Sequence, residues 1–146
     1  MAQNQHLSQL MSKNVISVSP NQTVQEAASL MSQYNIGSLP VVENGQLKGI
    51  ITDRDITLRS TANGMDGQTP VSQCMSSGNL VSGRPDMDAH EAAQLMASQQ
   101  IRRLPVVDND QVVGMVALGD LAAQNIYADE AGQALSDISV PAKPQG

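Results

Sequence analysis

The stretch Ser38-Leu39-Pro40-Val41-Val42 returns 65 residues later as Arg103-Leu104-Pro105-Val106-Val107. Glu26-Ala27-Ala28 is answered at the same spacing by Glu91-Ala92-Ala93, Leu30-Met31 by Leu95-Met96, Gly49 by Gly114 and Asp55 by Asp120. The register slips by one residue earlier in the chain, where Met11 matches Met75. This period is far too long for a coiled coil, and two copies are too few for a solenoid. Two copies of one small unit, each too small to close a core alone, are expected to fold together around a pseudo-two-fold axis. Such an axis makes two equivalent clefts, and function is expected there.

At 146 residues the chain is one domain's worth, or two half-domains sharing a core. Phe and Trp are absent and Tyr occurs twice, so Val, Ile, Leu, Ala and eight Met residues must build the interior. A net charge of -6, with no long basic cluster, argues against nucleic acid and anionic membranes as partners. The lack of stacking aromatics argues further against single-stranded nucleic acid. Cys74 is the only cysteine, which excludes an intrachain disulfide and a multi-Cys metal site. Its neighbour Met75 and the apolar segment around it point to a buried thiol. The polar start, Met1 to Leu10, has no apolar signal core, and no stretch is long enough to span a bilayer. The expected location is the cytoplasm.

Each repeat reads as strand, helix, strand, strand, helix. Val15 to Val18 and Leu80 to Ser82 form the first strands, ended by Pro20 and Pro85. Thr23 to Glu26 fits a capping box, and Asp88 to Glu91 fits the same role. Val24, Ala27, Ala28, Met31 and Tyr34 make one buried helical stripe, matched by Ala89, Ala92, Ala93 and Met96. Leu39 to Val42 and Leu47 to Thr52 flank a turn with Asn44-Gly45 at its centre, a strong hairpin signal. Leu104 to Val107 and Val112 to Ala117 flank a turn of equal length. The last helices begin near Asp53 and Gly119, and Pro70 opens a short helix after a polar linker.

These runs resemble a known family. Leu10-Met11-Ser12, Thr23-Val24-Gln25-Glu26-Ala27, Ile36-Gly37-Ser38-Leu39-Pro40-Val41-Val42 and Gly49-Ile50-Ile51-Thr52-Asp53-Arg54-Asp55 are similar to a CBS (cystathionine beta-synthase) repeat. Ile101-Arg102-Arg103-Leu104-Pro105-Val106-Val107 and Gly114 to Asp120 resemble it a second time. Together they resemble a stand-alone tandem pair of bacterial type, a Bateman module. The expected fold is α+β: repeat 1 over residues 7–62, a linker over 63–70, repeat 2 over 71–127 and a polar, flexible tail over 128–146. Small three-stranded sheets are expected to pack the repeats together, with helices outside.

Thr52 and Asp55 stand three residues apart at a strand-to-helix junction. That spacing fits a plain helix cap. It also fits a ribose site, since a carboxylate accepts from two vicinal hydroxyls while exposed helix N–H groups face phosphate. The resemblance favours ribose, because CBS repeats use this Thr and Asp to hold it. Arg102-Arg103 is the chain's one adjacent basic pair. A guanidinium fork suits phosphate oxygens, whereas surface ion pairs would contribute little. The resemblance favours the phosphate role, since matching positions in nucleotide-sensing CBS proteins often carry His or Arg and touch phosphate.

The family pattern completes the ribose pocket of one repeat with phosphate contacts from the other. It places Thr52, Arg54, Asp55, Ser17, Val18, Arg102, Arg103, Leu104 and Pro105 in a first cleft. A second, weaker cleft takes Val81, Ser82, Gly37, Ser38, Leu39, Pro40, Ala117 and Asp120. Repeat 2 has Ala117 where repeat 1 has Thr52, and repeat 1 has Gly37-Ser38 where repeat 2 has the arginines. His6 and His90 share no metal-ligand spacing, and no nucleophile–base set argues for catalysis.

The resemblance implies a regulatory sensor without catalytic residues, metal or catalytic cofactor. Its ligand would be AMP, ADP or ATP, with NAD and S-adenosylmethionine left open. Met11, Leu58, Met75 and Leu121 point to a homodimer, and output would pass to a separate effector protein or through oligomer state. The rival reading is a ligand-independent dimerisation scaffold.

Overall fold

The computed structural model describes residues 5–78 and 80–122. The expected tail over 128–146 lies outside the described residues. In chain order the elements are α1 (Leu7–Leu10), α2 (Val24–Tyr34), β1 (Ser38–Glu43), β2 (Gln46–Thr52) and α3 (Asp53–Asp55). A π-helical turn, Ile56–Ser60, continues α3, and 3-10 turns follow at Thr61–Asn63 and Val71–Gln73. The second half contains α4 (Ala89–Gln99), β3 (Arg103–Asp108), β4 (Gln111–Ala117) and α5 (Leu118–Ala122).

Both hairpins form as read from the sequence. Asn44 and Gly45 take φ of 54° and 80°, and Asn109 and Asp110 take 51° and 64°. Two consecutive left-handed residues make the tight turn whose twist matches its flanking strands. In the first hairpin Ser38 lies opposite Thr52 and Leu39 opposite Ile51. The register shifts between Val41 and Val42.

The expected third strand of each sheet is reduced to a single bridge. Val18 donates its N–H to Pro40 O at 3.1 Å and accepts from Val42 N–H at 2.8 Å. In repeat 2 the bridging residue is Gly83, which donates to Pro105 O at 2.8 Å, not a residue of the expected Leu80–Ser82 strand. Pro20 and Pro85, which cannot donate to a ladder, stop both from lengthening. The regular sheets are therefore two-stranded.

The caps differ between repeats. Thr23 N–H donates to Glu26 Oε1 at 3.0 Å, and Glu26 N–H donates to Thr23 Oγ1 at 3.1 Å. That is a full capping box. The polar linker adds to it, as Thr69 O and Gly67 O accept from Val24 and Gln25 N–H at 2.8 and 3.1 Å. In repeat 2, Asp88 accepts only from His90 N–H at 3.0 Å, so the expected box there is a single cap. Both helices end on a left-handed residue, Asn35 and Gln100.

The chain divides into two compact units, and they do not coincide with the sequence repeats. One holds residues 16–78, 80 and 110–112; the other joins residues 5–15 to 81–109 and 113–122. Each repeat is a unit of sequence, whereas its leading segment packs elsewhere. Leu7 is fully buried among Met87, Ala92, Met96, Leu104 and Leu121. Val71 and Cys74 are buried among Val18, Ala27, Leu39, Val41 and Ile51.

A methionine and a glycine lock each crossing. Ser12 exchanges two backbone hydrogen bonds with Met115, and Ser76 does the same with Ile50, all at 2.8–2.9 Å. A Cβ on Gly49 would stand 2.8 Å from Ser76 O and from the Met75 sulfur. One on Gly114 would overlap the Met11 side chain and stand 3.0 Å from Ser12 O. Only glycine lets the leader pass so close to the strand.

The helical stripes hold in part. Val24, Ala27 and Met31 are buried, but Ala28 is exposed and so is Tyr34, at 46 %. All four residues of the α4 stripe are buried. Of the four residues expected at a dimer face, Leu121 is fully buried, and Met11 and Met75 pack on the cores of their own units. Leu58 remains outward, 49 % exposed.

Candidate functional site

In the unit built on residues 16–80, β2 delivers Thr52 to the start of α3. Thr52 N–H donates to Asp55 Oδ2 at 2.9 Å, and Asp55 N–H donates to Thr52 Oγ1 at 3.0 Å. The pair is thus a reciprocal cap, and both residues are partly buried. Capping occupies one carboxylate oxygen of Asp55. The other, Oδ1, faces Arg59 Nη1 at 3.9 Å, beyond hydrogen-bond distance. Capping therefore leaves Oδ1 without a hydrogen bond.

The neighbouring backbone is fixed by the hairpin. Asp53 N–H donates to Gly37 O at 2.9 Å, and Ser38 pairs with Thr52. Gly37 and Ser38 thus lie directly beside Thr52 and Asp53. A Cβ on Gly37 would come 3.4 Å from Asp53 Oδ2, so the site wall here is bare backbone. Arg54 is exposed at the same turn. Ser17 is partly buried, and the side chains of Val18 and Leu39 lie in the core. Pro40 O is taken by Val18 N–H.

The other unit repeats this skeleton with different side chains. Leu118 N–H donates to Arg102 O at 2.7 Å, the counterpart of the Asp53–Gly37 bond. The arginine pair therefore adjoins Ala117 and Asp120 of its own repeat. Asp120 Oδ2 accepts from Ala117 N–H at 3.3 Å, with no hydroxyl to return the bond. Arg102 is exposed and Arg103 partly buried, and the Nε of Arg103 is buried without a hydrogen-bond partner. A buried donor left unpaired costs about 1–3 kcal/mol, which an anionic acceptor would recover. Leu104 is a core side chain, Pro105 O is taken by Gly83 N–H, and Val81 and Ser82 are partly buried beside that bridge.

Arg59 escaped the sequence reading. Its Nη1 donates to Cys74 O at 3.2 Å, Met75 O at 3.1 Å and Ser76 Oγ at 3.4 Å. The signal was present, since Arg59 follows Asp55 by four residues in a helical run. Cys74 is fully buried, as expected for this thiol. Burial first, then the nearby Asp55 carboxylate, pushes its pKa up. Among the described residues, no three His, Cys, Asp or Glu side chains gather to hold a metal ion. No helix there is long and apolar enough to cross a membrane.

Two repeats, each carrying an antiparallel hairpin, an acid-capped helix start and a leader crossing a glycine, define a tandem-repeat module. The CBS domain matches residues 7–60 and 71–124, and the chain belongs to that family. It is 61% identical over 129 residues to a CBS domain-containing protein, YhcV, of Bacillus subtilis (strain 168), covering 88% of this chain and 91% of that protein. Among solved structures, Hypoxic Response Protein I with two coordinated zinc ions superposes with a TM-score of 0.75 at 28% identity. The match covers 82% of this chain and 98% of that one. The CBS domain pair of MJ0100, in complex with 5′-methylthioadenosine and S-adenosyl-L-methionine, gives 0.71 at 28% identity, covering 88% and 99%.

Proposed function

We propose that the chain is a regulatory sensor of an adenosine-containing nucleotide, with AMP, ADP and ATP foremost. Thr52 and Asp55 would hold the ribose, and Arg102 and Arg103 would supply donors to phosphate. The observation that carries this reading is Asp55. Its Oδ2 completes the helix cap while its Oδ1 makes no hydrogen bond, leaving the lone pairs that vicinal hydroxyls require. The buried, unpartnered Arg103 Nε supports an anionic ligand. The adenosyl ligands of the MJ0100 pair support the adenosine part. Joining both groups in one cleft follows the family pattern. The reading includes action in the cytoplasm as a homodimer, with Leu58 and Met65 (39 % exposed) as outward apolar candidates for its face. Output would then reach a separate effector or the oligomeric state.

The test is calorimetric titration with adenosine, AMP and ATP at two salt concentrations. Wild type is expected to prefer AMP over adenosine, with the gap narrowing in salt as partly exposed charges are screened. The double variant Arg102→Ala/Arg103→Ala is expected to lose that preference while keeping weak adenosine binding. No heat with any adenosyl ligand, S-adenosylmethionine included, would instead favour a ligand-independent scaffold.

A further inference from the structure

We propose that Arg59 couples the Asp55 carboxylate to the Cys74–Ser76 segment, so that engagement of the acid is felt where the chain leaves this unit. The inference rests on the role proposed for Asp55 and adds a route of regulation to it. One nitrogen, Nη1, lies against Cys74 O, Met75 O and Ser76 Oγ at 3.1–3.4 Å and faces Asp55 Oδ1 at 3.9 Å. An Nη nitrogen carries two hydrogens, so the three acceptors share two donors, while the carboxylate 3.9 Å away acts on the same nitrogen through its charge. A change at any one redistributes the rest.

The two ends of this bridge are differently held. Asp55 is tied to Thr52 through its other oxygen and its side chain is 13% exposed. Arg59 is half exposed, so the carboxylate limits where its guanidinium rests. The segment it grips is tied to β2 at one further point, the Ser76–Ile50 bond pair, two residues before Thr52. Arg59 itself sits in the π-helical turn, Ile56–Ser60. Such turns often mark functional positions in helices.

The second repeat has a matching leader, but its sequence has no arginine at the position corresponding to Arg59. Leu10-Met11-Ser12 corresponds to Cys74-Met75-Ser76, and Ser12 pairs with Met115 as Ser76 pairs with Ile50. The residue four beyond Asp120 is Gln124, not arginine. The arginine bridge thus belongs to the repeat with the complete Thr/Asp cap, and the Ser12–Met115 pair serves as an internal control.

Hydrogen exchange on the full chain tests this first without ligand. The readouts are the amides of Ser76 and Ile50, with those of Ser12 and Met115 as reference. Asp55→Asn keeps an oxygen for the cap but removes the charge. It is expected to speed exchange at Ser76 and Ile50 by about fivefold, the low end of site-to-site couplings, and to leave the reference pair unchanged. Arg59→Gln is expected to speed the same amides, and adding Asp55→Asn to it is expected to do nothing more. No effect of Asp55→Asn, or the same effect with Arg59→Gln already present, overturns the coupling. AMP then supplies the second arm: it should shift these amides in wild type but not in Arg59→Gln, with calorimetry expected to show that both bind. AMP binding that leaves the wild-type amides unmoved also overturns it. Absence of AMP heat overturns the nucleotide reading, while the ligand-free arm still decides the Arg59 link.

Discussion

The two helix starts that carry Asp55 and Asp120 descend from one pattern and have separated in chemistry. At Asp55 a threonine returns the hydrogen bond, giving a reciprocal pair at 2.9 and 3.0 Å with Arg59 behind it. At Asp120 one bond of 3.3 Å remains and the acid is exposed. Beside the first lies bare backbone at Gly37, beside the second an arginine pair. What has not diverged is the skeleton: left-handed hairpin turns, backbone-paired leaders, and a glycine under each methionine. Duplication here preserves what closes the core and varies the side chains around the two acids.

If the skeleton is truly shared, both crossing glycines must be intolerant of a side chain. Gly49→Ala and Gly114→Ala are each expected to destabilise by about 1–3 kcal/mol, the range for overpacking. The cost should be greater at Gly49, where a backbone oxygen 2.8 Å away cannot swing aside as a methionine tip can. Urea unfolding measures both. A neutral substitution at either site breaks the equivalence of the two crossings.

The caps should differ in the opposite sense. Thr52→Ala is expected to cost about 1 kcal/mol through loss of the cap. Ala117→Thr, which recreates the missing hydroxyl, is expected to stabilise by about 0.5–1 kcal/mol. Thermal unfolding of the two variants sharpens the comparison, and a destabilising Ala117→Thr would show that the second helix start is not built to receive a reciprocal cap.

The smallest contrast is at the starts of α2 and α4. The backbone hydrogen bond from Thr23 lowers the Glu26 pKa. A lowered folded-state pKa adds stability above the unfolded value, and that stability is lost as pH falls through the folded one. Glu26→Gln should therefore lower the melting temperature at neutral pH and not in acid. Glu91→Gln, where no reciprocal bond exists, should change it at neither pH.

The hairpins and helices were legible because they are local. Asn44-Gly45 dictates its turn, and Thr23 with Glu26 dictates a helix start. The swap of leaders was not, because Met75 belongs to repeat 2 by sequence and to the first core by packing. Periodicity puts Tyr34 in the buried stripe because it marks a face and not its extent, whereas the helix end runs past the core. Asp55 could be read as a cap or as a ligand residue, and the structure shows how one carboxylate serves the first with one oxygen only. The role of Arg59 is not local, because its backbone partners, Cys74 and Met75, are 15 and 16 residues away.

The central claim is that the two acids, alike in sequence, differ in function. AMP titrated by calorimetry into wild type, Asp55→Ala and Asp120→Ala compares them in one experiment. The account predicts about one ligand per chain. It predicts that Asp55→Ala loses roughly 1.5–3 kcal/mol of affinity, as for hydrogen bonds to a charged group, and that Asp120→Ala binds as wild type does. Equal losses, or a greater loss for Asp120→Ala, would contradict it.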